Sequence, residues 1–108
     1  MVTELNRDNF DAEVLQAKEP VLIDFWGPRC QPCLALKPFV DELEKEFTGK
    51  LKVTQINAEQ SRMLCAKLRV MSLPTFLLYE KGSEVKRLSG QLLSGKEIKE
   101  AVTAILNK

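Results

Sequence analysis

A short, mostly apolar, β-prone run, Val-Leu-Ile-Asp-Phe-Trp, occupies Val21 to Trp26 and has the composition of a strand buried inside a sheet. After a turn at Gly27-Pro28 the pattern changes period. From Gln31 to Phe47, Leu34, Leu36, Phe39, Val40, Leu43 and Phe47 fall largely on one helical stripe, and Gly49 offers a stop. Pro38 lies inside this segment and is predicted to kink it, because proline lacks one ladder N–H and its ring crowds the preceding turn. Leu51 to Asn57 alternates as a second internal strand, followed by a helix from about Ser61 to Leu68. Upstream, Val2 to Leu5 reads as a short first strand. Asp8 to Lys18 reads as a helix carrying Phe10, Val14 and Leu15, with Asn6 or Asp8 as its cap.

The second half has a different rhythm. Thr75 to Tyr79 and Glu84 to Leu88 flank Glu-Lys-Gly-Ser, where Gly82 supplies the positive φ of a tight hairpin turn. Ser94-Gly-Lys-Glu97 is a capping box, and Ile98, Val102 and Ile105 form the apolar stripe of a closing helix. Alternating strands and helices, then a hairpin and a helix, predict an α/β fold: a mixed central sheet of four or five strands with helices on both faces. There is no repeat, low-complexity tract or linker, so residues 1–108 are expected to form a single domain.

Composition narrows the function. The chain has 108 residues, 44% hydrophobic and 29% charged, enough for one buried core. A net charge of +1 gives no pull toward nucleic acid or an anionic membrane. No apolar run approaches the roughly 20 residues of a membrane helix, and the N-terminal segment lacks a basic stretch followed by an apolar one. These features predict a cytoplasmic protein or a mature form. Histidine is absent, which removes Ser-His-Asp and Cys-His nucleophilic catalysis and the commonest zinc ligand. Three cysteines, two of them separated by only two residues, make a poor disulfide framework and point to chemistry instead.

Cys30-Gln31-Pro32-Cys33 begins where a buried strand hands over to a helix. The first amides of that helix lack partners and the macrodipole is positive there, so a thiolate at Cys30 is favoured and Cys30 is the expected attacking thiol. Arg29 adds a positive charge predicted to push the same way. Cys33, one turn on, can close a small disulfide with Cys30 and release a substrate from a mixed disulfide. Pro32 suits a first turn whose amides are unpaired in any case. A zinc site is the competing reading of the pair, but Cys65 is the only other thiol and no metal site is expected.

Asp24 is the anomaly of its strand. Solvent exposure on one face would make it unremarkable. Burial would raise its pKa and let it move a proton to or from Cys33. Cys65, beside Leu64 and Ala66, reads as a small packing hydrophobe more readily than as a regulatory thiol, and Met63 and Met71 also read as packing residues.

Val-Leu-Ile-Asp-Phe-Trp, Gly-Pro-Arg-Cys-Gln-Pro-Cys and the later Ser-Leu-Pro-Thr before a hairpin together resemble the thioredoxin family across nearly the whole chain. The resemblance implies the thioredoxin fold, Cys30 as nucleophile, Cys33 as resolving thiol and Asp24 as the buried acid. It implies a substrate surface of Trp26, Arg29, Gln31, Pro32, Leu73, Pro74 and Gly90, with a cis peptide bond at Pro74 facing the disulfide. It also implies a protein-disulfide reductase with no resident cofactor, recharged by a flavoprotein thioredoxin reductase-like donor that draws on NADPH. Its partners would be disulfide-containing proteins and the chain itself a monomer.

Three departures from the family pattern alter that expectation. A tryptophan usually precedes the motif, where this chain has Arg29, and the usual Cys-Gly-Pro-Cys is Cys-Gln-Pro-Cys. Gln55 stands where a lysine usually neighbours the buried acid, so Asp24 is expected to lose a charge partner and to ionise with more difficulty. If Arg29 favours the thiolate, the protein becomes a stronger oxidant than a usual member, a disulfide oxidase or isomerase. The remaining alternative is a binding or redox-sensing module that uses the same groove.

Overall fold

The computed structural model describes residues 2–108. Five strands form one mixed sheet: β1 (Thr3–Glu4), β2 (Val21–Trp26), β3 (Lys52–Asn57), β4 (Thr75–Glu80) and β5 (Ser83–Ser89). Their spatial order is β1-β3-β2-β4-β5. β3 runs parallel to β1 and β2, whereas β4 runs antiparallel to β2 and β5. β2 is therefore the central strand, which explains its unbroken burial from Val21 to Phe25.

Period-two alternation divides the core between the two faces of the sheet. Val21, Ile23 and Phe25 pack with Val14, Leu64, Val70 and Leu77 on one side. Leu22 packs with Val40, Leu43, Val53, Phe76, Ile98 and Val102 on the other. Three α-helices cover the sheet: α1 (Gln31–Glu46) and α3 (Gly95–Leu106) on the Leu22 side, and α2 (Arg62–Lys67) on the Val21 side. By the same alternation, Asp24 and Trp26 lie on the face that α1 covers.

Local chemistry fixes most boundaries. Ser94 and Glu97 close the capping box of α3: the Glu97 amide donates to Ser94 Oγ at 3.2 Å and the Ser94 amide to Glu97 Oε1 at 3.1 Å. The β4–β5 turn has φ of +53° at Lys81 and +82° at Gly82, so a lysine shares the left-handed conformation expected of the glycine alone. A register irregularity at Leu78/Tyr79 interrupts β4–β5 pairing, and β5 is solvent-exposed along nearly its whole length.

Three expectations are corrected. The helix read over Asp8 to Lys18 contracts to a single π-helical turn, Asp11–Leu15. Asn6 Oδ1 accepts the Asp8 and Asn9 amides, and Asn9 Oδ1 accepts the Asn6 amide, so side chains hold residues 6–9 as a turn in competition with helix. Leu34 is on the exposed side of α1 rather than in its stripe, while Met63 and Met71 are exposed (79% and 89%) rather than packed. α1 runs through Pro38 without interruption.

Candidate active site

The redox pair sits at the β2–α1 junction. Cys30 is the N-cap of α1: its carbonyl accepts the Leu34 amide at 3.1 Å, and its Sγ accepts the Cys33 amide at 3.3 Å. The sulfur thus occupies the position of a capping oxygen, where unpaired amides and the helix dipole favour negative charge. Cys30 and Cys33 are joined by a disulfide, S–S 2.10 Å with Cα atoms 5.3 Å apart. The two sulfurs differ in access: Cys30 is half-buried and Cys33 is 1% exposed. Pro32 falls in the first turn of α1, and Gln31, its first residue, is exposed. Cys65 is a free, buried cysteine, and burial pushes its thiol pKa up.

Asp24 is buried, 1% exposed, and its Oδ2 has no hydrogen-bond partner among the described residues. Its pKa is raised from 3.8 to about 7: burial is the largest cause, Lys37 pulls it down, and Glu4 and Asp41 push it up. The solvent-facing alternative for Asp24 is therefore excluded. A carboxyl that titrates near neutrality, under the helix that carries Cys33, is suited to exchanging a proton.

Gln55 lies opposite Asp24 in the β2–β3 register, as the likeness to the family suggested. Asp24 does not lose its cation, however. Lys37 arrives from α1, its Nζ 3.8 Å over the centroid of the Trp26 ring and 2.8 Å from Gln55 Oε1, to which it donates. Gln55 Nε2 in turn donates to Glu4 Oε1 at 2.9 Å, and Glu4 Oε2 accepts the Asn57 amide at 2.9 Å. The amide of Gln55 thus bridges a cation and an anion above the buried acid.

Arg29 departs from expectation in the other direction. Its side chain is 81% exposed, and its Nε is paired with Glu59 Oε2 at 3.0 Å. A compensated, solvated guanidinium exerts little field on Cys30, which removes the electrostatic ground for a more oxidising site.

The Leu73-Pro74 peptide bond is cis. A Cβ placed on Gly27 would lie 3.2 Å from Leu73 Cδ1 and 4.0 Å from Cys30 Cβ, so this loop packs against the segment leading into the disulfide. Gly90, at φ +120°, donates its amide to the Pro74 carbonyl at 3.2 Å and ties the end of β5 to the same loop. Leu73, Pro74 and Gly90 thus come together as one loop cluster, and Trp26 lies beneath Lys37 on the opposite flank.

Reading the sequence missed Lys37, Glu59 and Glu4. Lys37 left a trace: it falls four residues after Cys33 and three before Val40, both buried, and so lies on the inner face of α1. Glu59 and Glu4 left none, because their partners are distant in sequence. Among the described residues no group of three or more histidine, cysteine, aspartate or glutamate side chains is placed to hold a metal.

A family model described as Thioredoxin matches residues 1–104. The chain is 38% identical to a thioredoxin of Acetoanaerobium sticklandii over 86 residues, covering 80% of this chain and 82% of that protein. It is 37% identical to a thioredoxin of Haemophilus influenzae over 91 residues, covering 84% and 85%. To the chloroplastic thioredoxin M5 of Oryza sativa it is 35% identical over 89 residues, 82% of this chain but about half (52%) of that longer protein. With the cysteine pair at the start of α1 and the five-stranded mixed sheet, these matches establish that the chain is a thiol-disulfide oxidoreductase belonging to the thioredoxin family.

Proposed function

We propose that this protein-disulfide reductase works with Cys30 as the attacking thiol, Cys33 as the resolving thiol and Asp24 as the proton acceptor for Cys33. In the reduced protein, the Cys30 thiolate attacks one sulfur of a substrate disulfide. A mixed disulfide forms, the substrate S–S bond breaks, and the first substrate sulfur leaves as a thiolate. Cys33 then gives its proton to the Asp24 carboxylate and attacks Cys30 Sγ. The Cys30–Cys33 disulfide closes, the second substrate sulfur leaves and takes a proton, and two electrons have passed to the substrate. The observation that carries this reading is the difference in access, Cys30 half-buried at the helix start and Cys33 1% exposed behind it.

The substrate surface is the ground around Trp26, Arg29, Gln31, Pro32, Leu73, Pro74 and Gly90, which suits an extended protein segment carrying a disulfide. No resident cofactor takes part. Two electrons return from NADPH through a flavoprotein reductase of the thioredoxin reductase kind. The working form is a monomer of the cytoplasm, a compartment in which protein thiols are kept reduced. In addition, among the described residues no helix is long and apolar enough to cross a membrane.

The roles separate in a trapping experiment. Cys33→Ser, incubated with a protein substrate that bears an accessible disulfide, accumulates a covalent adduct on non-reducing gels that dithiothreitol releases. Cys30→Ser accumulates none. An adduct formed through Cys33 in the Cys30→Ser protein would overturn the assignment.

A further inference from the structure

We propose that Lys37 is the positioning residue that sets the proton affinity of Asp24, and through it the pH at which Cys33 is released to attack. The inference rests on Asp24 serving as the proton acceptor for Cys33.

The groups facing Asp24 can be taken element by element. α1 presents Lys37 and Asp41, and its first turn carries Cys33. β1 contributes Glu4. β3 places the neutral Gln55 opposite, and β4 places the apolar Phe76. α3 adds Ile98 and Val102 to this side of the core. Among the described residues, burial, Glu4 and Asp41 oppose ionisation of Asp24, and Lys37 is the one group that favours it.

The ammonium of Lys37 is held in place. The Trp26 ring lies beneath Nζ at 3.8 Å and Gln55 Oε1 accepts from it at 2.8 Å, while Gln55 Nε2 is anchored on Glu4 at 2.9 Å. A cation on an aromatic face and an amide oxygen has a defined position rather than the freedom of a solvated lysine. Trp26, Lys37, Asp41 and Gln55 also line a surface depression of about 470 Å³. The depression brings water to Lys37 and Gln55, while Asp24 itself stays buried behind them. Gln55 works as an adaptor: it carries no charge, but it fixes the charge that α1 supplies.

A purely structural Lys37 would serve only to pack on Trp26 and bond Gln55, and its loss would leave the titration of Asp24 unchanged. The deciding measurement is the Asp24 carboxyl titration, followed by carbon-13 NMR on reduced wild-type protein, Lys37→Met and Lys37→Arg. Lys37→Met is expected to raise the midpoint by about one pH unit, and Lys37→Arg to leave it near the wild-type value. In parallel, release of a chromophoric thiol from its mixed disulfide with Cys30 reports the attack by Cys33. That rate should fall by about fivefold at pH 7 in Lys37→Met and recover at pH 9, where the carboxyl is ionised in both proteins.

An unchanged Asp24 midpoint in folded Lys37→Met, with tryptophan fluorescence as the check on folding, overturns the inference. So does a raised midpoint in Lys37→Arg equal to that in Lys37→Met, because the charge would then not be the cause. Asp24→Asn isolates the underlying reading. If it leaves the pH profile of thiol release unaltered, Asp24 is not the proton acceptor and both assignments fall. If Asp24→Asn abolishes the inflection but Lys37→Met does not move it, only the role of Lys37 falls.

Discussion

Arg29 Nε stands 3.0 Å from Glu59 Oε2, so the cation next to the disulfide and its counter-anion come from the two loops that leave the C-terminal ends of the parallel strands β2 and β3. The pair is exposed, and its contribution to stability is small, about 1 kcal/mol or less. Its consequence is electrostatic. Glu59→Gln leaves Arg29 uncompensated and is expected to lower the Cys30 thiol midpoint by a few tenths of a pH unit at low ionic strength, with the shift fading in high salt. The pH dependence of Cys30 alkylation in the two proteins checks it. A salt-independent shift would mean that Glu59 acts through the backbone of its loop instead.

Asp24 makes the stability of the fold depend on pH. Its pKa is raised from 3.8 to about 7 on folding, so between those values the folded chain holds a proton that the unfolded chain has released. The contribution is fully present below pH 3.8 and is lost as pH rises through about 7. Asp24→Asn is therefore expected to be more stable than wild type at pH 8, by at most about 4 kcal/mol, with the advantage shrinking toward pH 4. Urea denaturation of both proteins at pH 5 and pH 8 gives the comparison.

Gly95 opens α3 directly against α1. A Cβ at this position would lie 2.7 Å from Phe39 Cδ1 and 2.9 Å from two further ring atoms. Gly95→Ala gains up to about 1 kcal/mol of helix propensity. Forcing a ring in a packed interface costs about 1–3 kcal/mol. The clash wins, and thermal denaturation should show a net loss of about 1 kcal/mol. Gly95→Ala with Phe39→Leu should recover part of it.

Lys81 carries the left-handed conformation of the hairpin turn at φ +53°. Lysine is poorly suited to that region, whereas asparagine followed by Gly82 matches the turn. Lys81→Asn is expected to raise stability by about 0.5 kcal/mol without altering disulfide reduction, as paired denaturation and turnover assays would show.

Elements whose signals are local were legible in the sequence. β2 announced itself by composition, α3 by Ser94 and Glu97, and the hairpin by Gly82, because each is decided by neighbours within a few residues. The helix before β2 was not legible, since Asn6 and Asn9 capture amides that a period-based reading assigns to helix. At the site, the cysteine pair was legible from its spacing at the strand-to-helix junction, and Asp24 stood out as a charged group in an apolar strand, though the sequence left its burial open. The electrostatics did not follow. Whether Arg29 acts on Cys30 depends on Glu59, thirty residues away, and whether Asp24 has a cation depends on Lys37 crossing from a helix to a register position on β3. A lysine on a helix ordinarily reads as solvated surface, and only its spacing from Cys33 marks this one as different.

The two outer strands bear on how the molecule behaves in company. β1 offers only Thr3 and Glu4, and β5 presents Glu84, Lys86 and Arg87 beside an irregular register. Neither gives an incoming extended chain a long, flat, apolar border to zip onto. A reductase of protein disulfides meets other polypeptides as substrates, and an exposed strand edge is where such chains could pair with it. With both borders blunted, neither edge of the sheet gives such a chain a template on which an aggregate could start.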